Sequence, residues 1–265
     1  MRRGRRSAVA AVTAVAMGLV TAATAAPGPP PDRFIMSASG STLNAASGGG
    51  QGALTWLHAP STDLLVGVGG EYHTIDDAHW MLGSLSTSLS GGSPADRWTV
   101  TAAGRFGGGE IGARRFDYDT EAVRVSTTLS HTLSLQLETR QFDIDTSHGN
   151  LPKVGASLYV ASHWLVEAAY ARSAGGNLDT EFGGLRLDRF GPVSWFVGGV
   201  RGHVAPAVID VQTGATGPAP RYWDGYAGVS KGFRAAQWTV SADYLALAGT
   251  RRMTLTVTCV LHPIT

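Results

Sequence analysis

The chain has a single cysteine, Cys259, among its 265 residues. One cysteine closes no intramolecular disulfide and builds no multi-cysteine metal centre. It lies far from the N-terminus, so it is no lipid attachment point there, and the expectation is a small packed hydrophobe. Charge is also scarce: Asp, Glu, Lys and Arg make up 15% of the residues, against about 25% in an average soluble domain. Beyond residue 26 there is no basic block, which argues against a nucleic-acid partner. There is also no apolar run of helix length, which excludes membrane crossing by helices. The runs Gly48-Gly49-Gly50 and Gly107-Gly108-Gly109 lack the Lys-Ser/Thr of a phosphate-binding loop. No motif points to a cofactor or to a resident metal.

Residues 1–26 are a different material. Arg2, Arg3, Arg5 and Arg6 form a basic start, Ala8 to Val20 an uncharged, mostly apolar run, and Ala23-Thr24-Ala25 a small-x-small site. This is the grammar of a secretory signal peptide cut near Ala25, and the run is too short to span a bilayer. Of 21 basic and 20 acidic residues, those four arginines leave with the signal, so the mature chain carries about −3. Residues 27–32 read as a short Pro-rich leader.

From residue 33 to 265 the pattern has a period of two. Met253, Leu255, Val257, Cys259 and Leu261 alternate with Thr254, Thr256, Thr258 and Val260. Leu133, Leu135 and Leu137 alternate with Ser134, Gln136, Glu138 and Arg140, and Val123 and Val125 with Arg124 and Ser126. Such alternation sends the two sets to opposite faces of a sheet. Strands are expected near 33–42, 51–59, 63–73, 78–89, 97–106, 119–130, 133–145, 153–161, 164–173, 178–189, 193–204, 221–232, 237–247 and 251–262. Most of them have the length of a tilted membrane-crossing strand, about 9–11 residues. Trp98, Phe106, Trp164, Tyr170, Trp195, Trp238 and Tyr244 fall near strand ends, where an interfacial girdle sits. Short connections near 60–62, 90–96, 131–132, 162–163, 190–192 and 233–236 alternate with others near 43–50, 74–77, 107–118, 146–152, 174–177, 205–220 and 248–250. Short periplasmic turns and longer external loops are the usual asymmetry, although three of the second set are short.

The expected fold is therefore all-β: one antiparallel transmembrane barrel of about 14 strands, with 12 as the alternative and both termini on the periplasmic side. Over about 33–262 the chain resembles bacterial outer-membrane β-barrel proteins as a class. Arg105-Phe106-Gly107 and Tyr226-Ala227-Gly228 give it a loose similarity to the small barrels of the YaiO type. The resemblance implies an outer-membrane location, with outer-membrane lipid, lipopolysaccharide and the barrel-assembly machinery as partners, and a secretion partner as a further one. The chain departs from the class at its end, Cys259-Val260-Leu261-His262-Pro263-Ile264-Thr265, where a terminal aromatic is usual.

The candidate functional residues are the charges on the polar parity: Glu71, His73, Arg105, Arg124, Glu138, Arg140, Glu167, Arg186, Asp188 and Asp243. Facing lipid, an Arg or Lys at mid-depth costs about 2–4 kcal/mol, so these belong inside. There they either pair across the lumen and stiffen it, or form a constriction that filters by charge. Mixed signs oppose strong cation or anion selectivity. Acidic positions Asp117, Asp119, Glu121, Asp143 and Asp145, with Arg114 and Arg115, are expected in external loops near lipopolysaccharide phosphates. His131, Ser134 and Glu138 have a suggestive spacing for hydrolytic chemistry, but His131 has the opposite parity to the other two, and no enzyme is expected. Glu71 and His73 share a face near an outer rim beside Asp76 and Asp77. The expected function is a passive or weakly selective channel or export pore, with loops 107–118 and 205–220 as plugs or gates. A filled structural barrel serving an envelope or polysaccharide secretion system is the alternative, and a lipid A-modifying enzyme a third.

Overall fold

A computed structural model of the chain describes residues 32–43, 47–75, 78–93, 96–144, 147–177, 179–203, 221–233, 235–247 and 250–261. The signal peptide, the leader up to residue 31, Asp76, Asp77, Asp145 and the 205–220 segment lie outside these residues. The strands are β1 (Arg33–Leu43), β2 (Ser47–His58), β3 (Leu64–Ile75), β4 (Ala78–Gly91), β5 (Trp98–Ile111), β6 (Arg114–Thr128), β7 (Leu133–Ile144) and β8 (Ser147–Ala161). They continue with β9 (Trp164–Arg172), β10 (Ala174–Gly176), β11 (Glu181–Arg189), β12 (Ser194–His203), β13 (Arg221–Gly232), β14 (Ala236–Leu247) and β15 (Thr250–Leu261).

Fourteen of these strands close an antiparallel ring. Neighbours in sequence pair in register, β9 pairs with β8 and β11, and β1 pairs with β15. The three-residue β10 is an addition. It pairs only with the start of β8, above the end of β9, and Asn177 fastens this corner with hydrogen bonds to His148. Closure of the ring gives each of its fourteen strands a neighbour on both sides, the condition for a sheet to cross a membrane. Arg33 and Leu261 lie at the same end of the ring, the near end. The near-end turns are short, and one is fixed by Asp96, which accepts from the Ser93 amide and hydroxyl. Those bonds, the hydroxyl's first, hold the Asp96 carboxyl below the usual carboxylate range.

Period two sorts the side chains. Leu85, Leu89, Val100, Val123, Val125, Leu135, Leu137, Val154, Leu158, Leu255 and Val257 are exposed on the outer face. A continuous apolar outer band on a closed barrel is a lipid-facing surface. Two aromatic levels bound it. Trp98, Trp164, Trp195 and Trp238 lie at the near end, with Trp164 packed edge-on to Trp195 at 5.3 Å. Phe106, Tyr170 and Tyr244 lie six to eight residues further along their strands. Six to eight residues at about 3.3 Å each, tilted by about 40°, separate the levels by ~15–20 Å along the barrel axis. Cys259 is buried on this outer face, opposite Met36 and Trp238 in the ladder.

Several expected external loops are strands instead. Residues 107–118 form the continuation of β5 and β6 around a turn at 112–113, residues 47–50 open β2, and residues 147–152 open β8. The polarity of the strands reverses there. On β6, Val123 and Val125 point out and Arg124 and Ser126 in; further along, Asp117, Asp119 and Glu121 point out while Phe116, Tyr118 and Thr120 are buried inside. On β7, Leu135 and Leu137 point out beside inward Glu138, and beyond them Asp143 points out while Phe142 and Ile144 are buried. A strand leaving the hydrocarbon exchanges lipid for water outside, so the same alternation carries the opposite polarity. The expected loop acids Asp117, Asp119, Glu121 and Asp143 are thus outward strand residues.

The inward apolar residues of this far end form a cap. Ala78, Trp80 and Leu82 of β4, Phe116 and Tyr118 of β6, Phe142 and Ile144 of β7, Leu151 of β8 and Ala171 of β9 pack into one buried cluster, with Ile111 and Phe182 at its margin. Glycine makes room for it. Gly109 lies opposite Trp80 in the ladder, and a Cβ there would stand 2.4 Å from the Trp80 Cβ and 2.2 Å from the His79 carbonyl. The run Gly107-Gly108-Gly109 is therefore a close-packed strand segment.

Candidate functional site

Below the cap the inner face is polar. Serines 84, 86, 88 and 90 of β4 and threonines 254, 256 and 258 of β15 line it with small hydroxyls. All ten candidate charges face this lumen. Glu71, Arg105, Arg140 and Asp243 each lie seven residues in from the near end of their strands, counted from Leu64, Trp98, Leu133 and Ala236. Lys153 and Asp224 lie eight residues in, counted from Ala161 and Gly232. These groups make a belt at one level.

The belt has two unlike walls. On the first, β3 to β8, Arg105 Nε forms an ion pair with Glu71 Oε1 at 3.2 Å across β4, where the inward residue opposite Arg105 is only Ser84. The second Glu71 oxygen is 3.0 Å from His73 Nε2, and the His73 ring lies on Trp80. Glu138 is buried between two guanidinium groups: Arg124 at 2.8 and 2.9 Å and Arg140 at 3.0 Å. Lys153 faces it from β8. This wall carries Arg105, Arg124, Arg140 and Lys153 against Glu71 and Glu138.

On the other wall, Arg186 holds Asp188 with two hydrogen bonds of 2.6 and 2.8 Å, lies 3.8 Å from Glu167 and stacks 4.3 Å above the Phe196 ring. Phe196 lies flat because its neighbour is Gly228, where a Cβ would meet the ring at 2.4 Å. Tyr222 donates to Asp224 Oδ2 at 3.0 Å, and the inward Arg252 donates to Thr254 at 3.1 Å. Asp224 Oδ1 and Asp243 Oδ1 are buried with no hydrogen-bond partner among the described residues. This wall carries Glu167, Asp188, Asp224 and Asp243 against Arg186 and Arg252.

These luminal pairs run within a strand, to the next strand, or in one case to the next but one. They follow the walls and do not bridge the lumen as pairing across it would require. Lys153, Asp224 and Arg252 also face inward and were not among the candidates, although each lies in an expected strand, 153–161, 221–232 and 251–262. The alternation of Tyr222, Asp224 and Tyr226 with Trp223, Ala227 and Val229 was the available signal. The hydrolytic trio is not assembled: His131 is exposed in the near-end turn, Ser134 donates to Thr128, and both Glu138 oxygens are taken by arginine. The aromatic candidates all face outward.

No protein-family model matches the chain, and no curated protein matches it significantly. Solved structures do. The CymD monoaromatic hydrocarbon channel matches with a TM-score of 0.62 and 8% identity, over 89% of this chain and 90% of that one. The toluene transporter TodX of P. putida matches at 0.54 and 9%, over 89% and 91%. The outer membrane protein Omp33 of Acinetobacter baumannii matches at 0.52 and 12%, over 88% and 99%. At such identities the likeness speaks for architecture. The chain thus has the fold of the bacterial outer-membrane β-barrels.

Proposed function

We propose that this protein is a passive, weakly selective channel of the bacterial outer membrane, its near end periplasmic and its outer band in contact with lipid and lipopolysaccharide. One observation carries the reading. Arg105, Arg124 and Arg140 face the inside of a closed ring, yet their side chains are 34%, 39% and 32% exposed. Charged groups keep such exposure only against water, so the lumen is open at the belt. The apolar cap covers the β4–β11 arc of the far end and leaves β12–β15 and β1–β3 outside it. On the two described walls six carboxylates face six cations, which supports weak rather than strong ion selectivity. Four matched structures, of CymD and TodX, are named as channels or a transporter at TM-scores from 0.54 to 0.62, and they add to the reading. Within the class, the YaiO-type likeness rests on the two Gly-aromatic tripeptides alone.

Single-channel recording on protein extracted from host outer membranes tests this. Stable current steps in a planar bilayer are expected. A folded barrel that passes no current would favour the filled structural barrel, and a change in host lipid A mass spectra with the protein would favour an enzyme.

A further inference from the structure

We propose that the belt selects small zwitterionic solutes, turning the carboxylate toward the β5–β8 wall and the ammonium toward the β13–β14 wall. This deepens the channel reading and rests on it.

In a ring of fourteen strands, the strand seven places on is the one opposite. With β10 outside the ring, β13 stands opposite β5 and β14 opposite β6. Asp224 of β13 therefore faces Arg105 of β5 across the lumen, at nearly the same depth. Asp243 of β14 faces the sector of Arg124, whose guanidinium reaches toward the belt to hold Glu138. Among the described residues of the two walls, six carboxylates meet six cations, but they are sorted. The β3–β8 side has an excess of cations and the β9–β15 side an excess of carboxylates. Sorted charge makes a field across the passage. A test with simple salts is blind to it, because cation and anion each find one favourable wall. A solute with both charges gains from both walls at once.

Asp224 Oδ1 and Asp243 Oδ1 are buried and have no donor among the described residues, so these carboxylates act on a passing ammonium through their charge. On the opposite side, Arg105 is engaged by Glu71 through Nε, and Arg140 by Glu138 through one terminal nitrogen. Each is about one-third exposed to the lumen, and a planar guanidinium is suited to carboxylate.

Swelling of proteoliposomes containing the whole protein reads the effect, with the rate of protein-free liposomes subtracted. The probes are β-alanine, a zwitterion, and lactamide, its uncharged isomer, so size is held fixed. β-Alanine is expected to enter about threefold faster, below the roughly tenfold gain that a lined cleft gives a net-charged solute. The double variants Asp224→Asn/Asp243→Asn and, separately, Arg105→Gln/Arg140→Gln are each expected to bring the ratio of the two rates to about one. Equal entry of both probes into wild-type proteoliposomes overturns the inference and leaves the channel standing. No entry of either probe removes the channel as well. A wild-type ratio retained in whichever double variant folds shows that the sorted charges are not the cause, and this also overturns it.

Discussion

The imidazole of His73 and the indole of Trp80 lie 4.8 Å apart and within 6° of parallel. This stack joins the two chemistries of the interior. On one side His73 meets Glu71 at 3.0 Å and so reaches the charged belt. On the other side Trp80 meets Phe116 edge-on at 6.4 Å and so belongs to the apolar cap. The Trp80 Nε1 has no hydrogen-bond partner among the described residues, so packing rather than polar contact holds the indole.

Trp80→Ala should therefore cost about 3–5 kcal/mol, the range for emptying a buried aromatic site. It should also raise single-channel conductance, since the cap overhangs the lumen. Urea unfolding followed by tryptophan fluorescence gives the first quantity and bilayer recording the second. A variant with wild-type stability would mean that the cap is not packed.

Gly109→Val should destabilise the barrel by about 1–3 kcal/mol through overpacking. The new side chain meets backbone at the His79 carbonyl, which cannot swing away as a flexible side chain can. The same substitution at Gly40, where a Cβ meets nothing within 4 Å, should cost clearly less. Comparing the two urea midpoints checks the close approach.

Glu138→Gln leaves Arg124, Arg140 and Lys153 crowded without their shared carboxylate. The expected loss is about 2 kcal/mol, kept modest because both arginines touch luminal water. Reversal potential in a salt gradient should move toward anions. The converse change, Arg105→Ala with Arg140→Ala, should move it toward cations. An unmoved potential in both would show that current does not pass the belt.

The polarity reversal on β6 makes neighbouring outward positions behave oppositely. Val123→Arg faces hydrocarbon and should cost about 2–4 kcal/mol. Asp119→Arg, four residues on and also outward, should change stability by less than about 0.5 kcal/mol, since it sits opposite Asp143 and relieves a like-charge pair. A severe loss at Asp119 would place the membrane boundary elsewhere.

The fold was legible because period two is a local property that any nine-residue window displays. The strands themselves follow from parity and their number from the turn residues between them, where twelve stood as the alternative to the fourteen of the closed ring. The far-end strands were not legible as strands. Residues 114–121 keep the alternation, but a reader expecting apolar-out sees Asp117 and Asp119 as loop markers. Whether lipid or water lies outside is a matter of height above the membrane, which no window of sequence states. Gly107-Gly108-Gly109 misled for a related reason, since Gly109 admits Trp80, a residue distant in sequence that stands directly opposite it on β4. The sorting of charge between walls was hidden as well, because it depends on which strands stand opposite, and that emerges only when the count of the ring is complete.

Phe34 of β1 pairs with Leu261 of β15, so the last ladder joins residues from the two extremes of the sequence. Contacts of such separation are slow to form, because nearly all of the chain must be ordered before they are made. Until then both outermost strands present open hydrogen-bonding edges that invite foreign strands. The belt shares this dependence. Arg105 has no Asp224 to oppose until the seam is shut, so the two walls come to face each other only at the end of assembly, and a partly built wall has no inside.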